Sequence, residues 1–174
     1  MNFTAHGKLL LTGEYAITQS ARGIAMPTSF GQQLSVESHP GPEHVLWEAL
    51  DHENQQWFTA GFDHEGRLLH TSSAAIAETL QGFLAPIRKS KAWNAPVRVQ
   101  TRVDFPRRWG LGTSSTLCAL LAQWAEMDTL FYRTLHGGSG YDLACAQANG
   151  AIAYSLVDGV PGVLPVQLPE VLQS

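Results

Sequence analysis

Residues 106–116 read Pro-Arg-Arg-Trp-Gly-Leu-Gly-Thr-Ser-Ser-Thr, two glycines and a hydroxyl run that open at once onto the apolar stretch from Leu117 to Trp124. Such a junction suits a tight loop feeding a helix. The glycines let the backbone approach an anion closely, Thr113, Ser114 and Ser115 offer hydroxyls, and the helix start presents unpaired N–H groups at the positive end of its dipole. A polyphosphate matches that chemistry. An ordinary hydroxyl N-cap also accounts for Gly110 to Ser115. No Lys follows the glycines, so the run is not a Walker-type phosphate loop, and it is not a dinucleotide fingerprint.

The segments around the loop predict a mixed fold. Val97 to Val103 alternates as a half-buried strand and delivers the chain into the loop; Ser114 to Glu126 reads as a helix apolar on nearly all faces. Residues 3–19 read as strand, glycine bend, strand, and residues 23–38 as a strand broken at Pro27 and resumed at Gln32. Val45–Leu50 and Gln56–Phe62 suggest a hairpin across Asp51–Asn54. Ile76, Leu80, Phe83, Leu84 and Ile87 mark a helix over Ser72–Lys89, capped by Thr71 or Ser72 and stopped early by Pro86. Asp128 reads as the cap of a shorter helix ending near Gly137-Gly138, Tyr141 opens a third helix, Ala151–Leu156 is a strand, and one more strand is allowed past Asp158. The order amounts to α+β, not a doubly wound sheet.

At 174 residues the chain suits one domain able to bury roughly 70 % of its unfolded surface without disulfides or metals. A net charge of −4 excludes the basic face expected of a nucleic-acid or anionic-membrane partner. Arg88, Lys89 and Lys91 fit the solvated end of a helix. Charged residues are only 15 %, which points to an apolar face covered by a further domain or by self-association. Cys118 and Cys145 suggest buried thiols in a reducing compartment. With no spanning segment or signal peptide, the cytoplasm is the expected location.

Two further segments accompany the loop: Gly7-Lys8-Leu9-Leu10-Leu11-Thr12-Gly13-Glu14-Tyr15 near the start and Gly137-Gly138-Ser139-Gly140-Tyr141-Asp142 downstream. In this order the three resemble the GHMP kinases, which include galactokinase, homoserine kinase, mevalonate kinase and phosphomevalonate kinase. Pro106 followed by Gly110-Leu111-Gly112-Thr113-Ser114 fits the family signature with Thr113 in place of its first Ser. The opening segment is most similar to the mevalonate and phosphomevalonate branch.

The resemblance implies a ribosomal-S5-like N-terminal domain that binds ATP and magnesium and transfers phosphate to a small-molecule hydroxyl or phosphate. Gly110, Leu111, Gly112, Thr113, Ser114 and Ser115 would cradle the nucleotide phosphates, with Ser114 on magnesium (Mg2+). Asp142 would orient or deprotonate the acceptor, Lys8 would lie near it, and Glu14, Tyr15, Ser139 and Gly140 would shape the substrate side. The family usually carries a second, ferredoxin-like domain with a third glycine-rich motif, which this sequence lacks. A fragment or a half-length relative, a kinase, a non-catalytic nucleotide-binding module and a diphosphomevalonate decarboxylase-like enzyme all remain open on the sequence.

Overall fold

The computed structural model describes residues 1–129, 131–133 and 138–169. A 16-residue strand, β2 (Gly23–Ser38), organises the sheet. One edge of β2 carries β1 (Asn2–Thr12), antiparallel from Asn2 opposite Ser35 to Thr12 opposite Ile24. Its other edge is shared. β6 (Val97–Val103) takes residues 32–38, while β7 (Ile152–Val157) takes residues 23–25. Met26, Pro27 and Gly31 therefore pair with β1 alone, and residues 28–30 stand in the irregular stretch of that pair. The sheet extends from β6 through a parallel β3 (Val45–Leu50) to β4 (Gln56–Phe62) and β5 (Leu68–Thr71), and from β7 to β8 (Val160–Pro165).

The predicted break at Pro27 is not a break. Pro27 stands opposite Lys8 at a register shift of the β1–β2 pair, beside the free stretch of β2, where a missing N–H is tolerated. The second strand expected before residue 19 is instead a 3₁₀ turn, Tyr15–Gln19. Gly13 at φ +89° turns the chain there, and Ile17 is buried beneath it. β5 gave no sequence signal because its residues are mostly exposed and do not alternate.

Helices α1 (Ala74–Leu84), α2 (Thr113–Ala125) and α3 (Tyr141–Ala146), among the described residues, lie on one face of the sheet. The expected Thr71 or Ser72 cap of α1 gives way to Ser73, which makes no side-chain cap bond. The Thr71 hydroxyl accepts from the Ser73 N–H instead. α1 ends before Pro86, as its ring demands, and a short 3₁₀ turn, Ile87–Lys89, follows. The helix expected after Asp128 lies largely outside the described residues. α2 is the centre of the core: Cys118, Ala119, Leu120, Leu121 and Ala122 are wholly buried. It packs on β1 and β2 below and on α1 and α3 beside it. On the opposite face of the sheet Gln33, Ser35, Gln100 and Arg102 alternate with the buried Leu34, Val36, Val99 and Thr101.

Candidate active site

β6 ends at Val103, a 3₁₀ turn covers Arg107–Trp109, and the chain enters α2 through Gly110 at φ +71° and Gly112 at φ +90°. Gly112 itself is the N-cap, and no side chain caps the helix. The hydroxyl-cap reading therefore fails, because Thr113, Ser114 and Ser115 already lie inside the first turn. The first helical bond runs from the Thr116 N–H to the Gly112 carbonyl, so the amides ahead of it have no partner within the helix. The Ser115 hydroxyl donates to the Gly112 carbonyl at 2.8 Å, which leaves the exposed Ser114 hydroxyl as the outward one.

The opening segment backs this loop. The Lys8 N–H donates to the Leu111 carbonyl at 2.9 Å. A Cβ on Gly7 would stand 3.1 Å from Leu111 Cβ, and one on Gly112 would stand 3.2 Å from Lys8 Cε and 2.6 Å from Ser115 Oγ. Glycine is needed at both positions because β1 and the loop touch. The Lys8 stem lies along Gly112, and its ammonium sits 5.4 Å from the centre of the Tyr141 ring.

Tyr141 opens α3, which starts from Gly140 at φ +83°. A Cβ there would meet Arg133 Cδ at 2.8 Å. The buried Ser139 carbonyl accepts from the Tyr154 hydroxyl, fixing the turn to β7. Asp142, half-buried, accepts from the Leu143 N–H at 3.0 Å. Its charge reaches inward. Burial, and then the Asp142 carboxylate, raise the Cys118 thiol, while Cys145 is pushed up to about 12 by burial, with Lys8 pulling it down and Asp142 raising it. Lys8 and Asp142 are thus both felt at the Cys145 thiol. They form no ion pair, and the Lys8 ammonium lies over the face of Tyr141 instead.

Glu14 is exposed just ahead of the 3₁₀ turn. The Tyr15 side chain and Gly137 lie outside what the structure describes. Among the described residues no three His, Cys, Asp or Glu side chains gather as a metal site.

A cavity of about 390 Å³ opens beside the loop, between the sheet, α1 and the start of α2. Trp47, Phe58, Ile76 and Leu117 give it apolar walls, and Thr113 and Ser114 lie at the loop end. The Arg107 guanidinium stacks 3.6 Å over the Trp57 ring at the same cavity. Exposed Phe30 and Trp109 meet edge to face at 5.3 Å beside the loop. Sequence reasoning missed the cavity because its walls come from strands and helices far apart along the chain.

No protein-family model matches this sequence, and no curated protein does. Solved structures do. A mevalonate kinase from Methanococcus jannaschii superposes with a TM-score of 0.63 at 12% identity, over 95% of this chain and 56% of that one. A D-glycero-D-manno-heptose 1-phosphate kinase from Bacteroides thetaiotaomicron gives 0.67 at 16%, over 98% and 61%. The chain has a GHMP kinase fold. A phosphomevalonate kinase from Streptococcus pneumoniae, solved with phosphomevalonate and AMPPNP, gives 0.63 at 17%, over 89% of this chain and 49% of that one. The chain spans about half to three fifths of the length of these kinases.

Proposed function

We propose that this chain is the N-terminal, nucleotide-binding part of a GHMP-type kinase that transfers the terminal phosphate of ATP to a small-molecule hydroxyl or phosphate, mevalonate-like or phosphomevalonate-like, in the cytoplasm. One observation carries the reading. The amides at the start of α2, the Lys8 stem and the Asp142 turn converge, although they lie far apart in the sequence. Phosphoryl transfer asks mainly for that kind of positioning and charge neutralisation. Gly110 to Ser115 hold the phosphates, and the base lies in the adjoining cavity. Ser114 would hold magnesium, which would supply neutralisation of charge on the phosphate oxygens. Lys8 steadies the negative charge that develops between donor and acceptor. Asp142 orients the acceptor hydroxyl or takes its proton, and Ser139, Gly140, Glu14 and Tyr15 form the acceptor side.

The test is Asp142→Asn. Turnover with mevalonate-like acceptors should fall at least about a hundredfold, the scale of a lost positioned base, while ATP affinity stays within about twofold. Undiminished turnover would remove Asp142 from the reaction. The second reading is a non-catalytic nucleotide-binding module, since nucleotide binding asks only for the loop and free amides at the start of α2. That reading gives saturable ATP binding and no phosphate transfer to any acceptor.

A further inference from the structure

The floor of the cavity is polar where its walls are apolar. Gln32 and Thr101 line it and are only 8% and 3% exposed. In the β2–β6 ladder Thr101 stands opposite Leu34 and Gln32 opposite Val103, so Gln32 and Thr101 are diagonal neighbours on the core face of the sheet. Gln32 is anchored from behind. The Thr116 hydroxyl, in the second turn of α2, donates to Gln32 Oε1 at 2.6 Å. With its carbonyl oxygen engaged by α2, the amide has its NH₂ group left to serve the cavity. The Thr101 hydroxyl beside it can donate or accept.

A buried donor next to a hydroxyl, below the apolar walls of Trp47, Phe58, Ile76 and Leu117, suits a flat heterocycle that shows an acceptor beside a donor on one edge. It rejects a ring that leaves the amide unpaired, since a stranded buried polar group is costly. We propose that Gln32, held by Thr116 and assisted by Thr101, is the residue that selects the nucleobase of the donor nucleotide. The proposal rests on the nucleotide-binding reading of the loop. It adds that base choice is made on the sheet, at β2, and phosphate binding at the start of α2. Thr116 joins the two, because its hydroxyl also lies 3.2 Å from the Gly112 carbonyl and 3.0 Å from the Thr113 carbonyl.

Gln32→Leu keeps the side-chain volume and deletes the amide, and Thr116 retains the Gly112 and Thr113 carbonyls as partners. The affinities of ATP, GTP, CTP, UTP and inorganic tripolyphosphate are measured by calorimetry on both proteins. Wild type should prefer one base over the others. In Gln32→Leu the preferred triphosphate should lose about tenfold, the scale of one hydrogen bond, and the spread among bases should collapse. Tripolyphosphate should bind both proteins alike. A wild type indifferent to the base, a variant that keeps its preference, or an equal loss for tripolyphosphate would overturn the proposal. Failure of wild type to bind ATP and tripolyphosphate at all would instead overturn the phosphate-cradle reading. Should Gln32→Leu melt far below wild type, Thr101→Val carries the same measurement, with the same loss of base preference expected and an unchanged preference again overturning the assignment.

Discussion

The two glycines of the loop look alike in the sequence and differ in the structure. Gly110 has a positive φ but open space where a Cβ would go, whereas a Cβ on Gly112 would meet Ser115 and the Lys8 stem. Gly110→Ala should therefore cost only the left-handed backbone, about 1–2 kcal/mol in urea unfolding, and weaken ATP binding less than the same change at Gly112. Gly112→Ala should cost more, and ATP affinity by calorimetry should fall at least about tenfold as the Lys8 stem and Ser115 are pushed aside. Equal effects of the two substitutions would deny Gly112 its special place. Lys8→Met separates the charge from the stem: packing against Gly112 survives, and the ammonium over Tyr141 goes. Thermal stability should change little, while phosphate transfer should fall by roughly a hundredfold or more. A melting point that drops as much as the rate would make Lys8 a packing residue only.

At the scale of elements, the periodic segments were the legible ones. β6 carries alternating apolar residues within the limits the alternation predicts, and β3 and β4 form the hairpin expected of two short runs across Asp51–Asn54. α2 declared itself as a helix without a polar face, and it lies where such a helix must, in the middle of the core. Leu120→Ala should accordingly cost about 3–5 kcal/mol in urea unfolding, because the sheet below and helices beside it cannot close the cavity. A loss under about 1 kcal/mol would show the core to be loosely packed. The 3₁₀ turn at Tyr15–Gln19 was illegible because a short apolar stretch after a glycine fits a strand equally well, and burial of Ile17 decides between them. At the candidate site the three motifs were readable one by one, since glycine and hydroxyl chemistry is local. Their mutual contacts were not. The Lys8 stem against Gly112 and the Thr116 bond to Gln32 are made by tertiary packing, which no spacing records.

Across the whole molecule, two of the polar clusters among the described residues carry separate predictions. One is the loop and its cavity. The other joins the β2–β3 connection to the far edge of the sheet, where Glu43 Oε1 meets His70 Nε2 of β5 at 2.9 Å and Glu43 Oε2 meets His39 Nε2 at 3.2 Å. Gly61 of β4 leaves the room this cluster needs, as a Cβ there would meet His70 Nε2 and Glu43 Cγ. The hydrogen bonds from His70 and then His39 pull the Glu43 carboxyl from an ordinary 4.5 down to about 2. A depressed carboxyl contributes stability that is fully present above its unfolded value and is lost as pH falls through its folded one. Wild type and Glu43→Gln should therefore differ most in urea midpoint at mildly acid to neutral pH, and the two should converge as pH falls from about 4.5 toward 2. Glutamine keeps one acceptor oxygen and puts an NH₂ group where the other histidine needs an acceptor, so one of the two bonds, to His70 of β5 or to His39 of the same connection, is lost at every pH above that window. ATP affinity at neutral pH should be the same in both proteins, because the cluster touches neither the cradle nor the cavity. A stability difference that persists undiminished to the acid end would mean the variant acts by packing, and the carboxylate charge would have no part in holding this edge of the sheet.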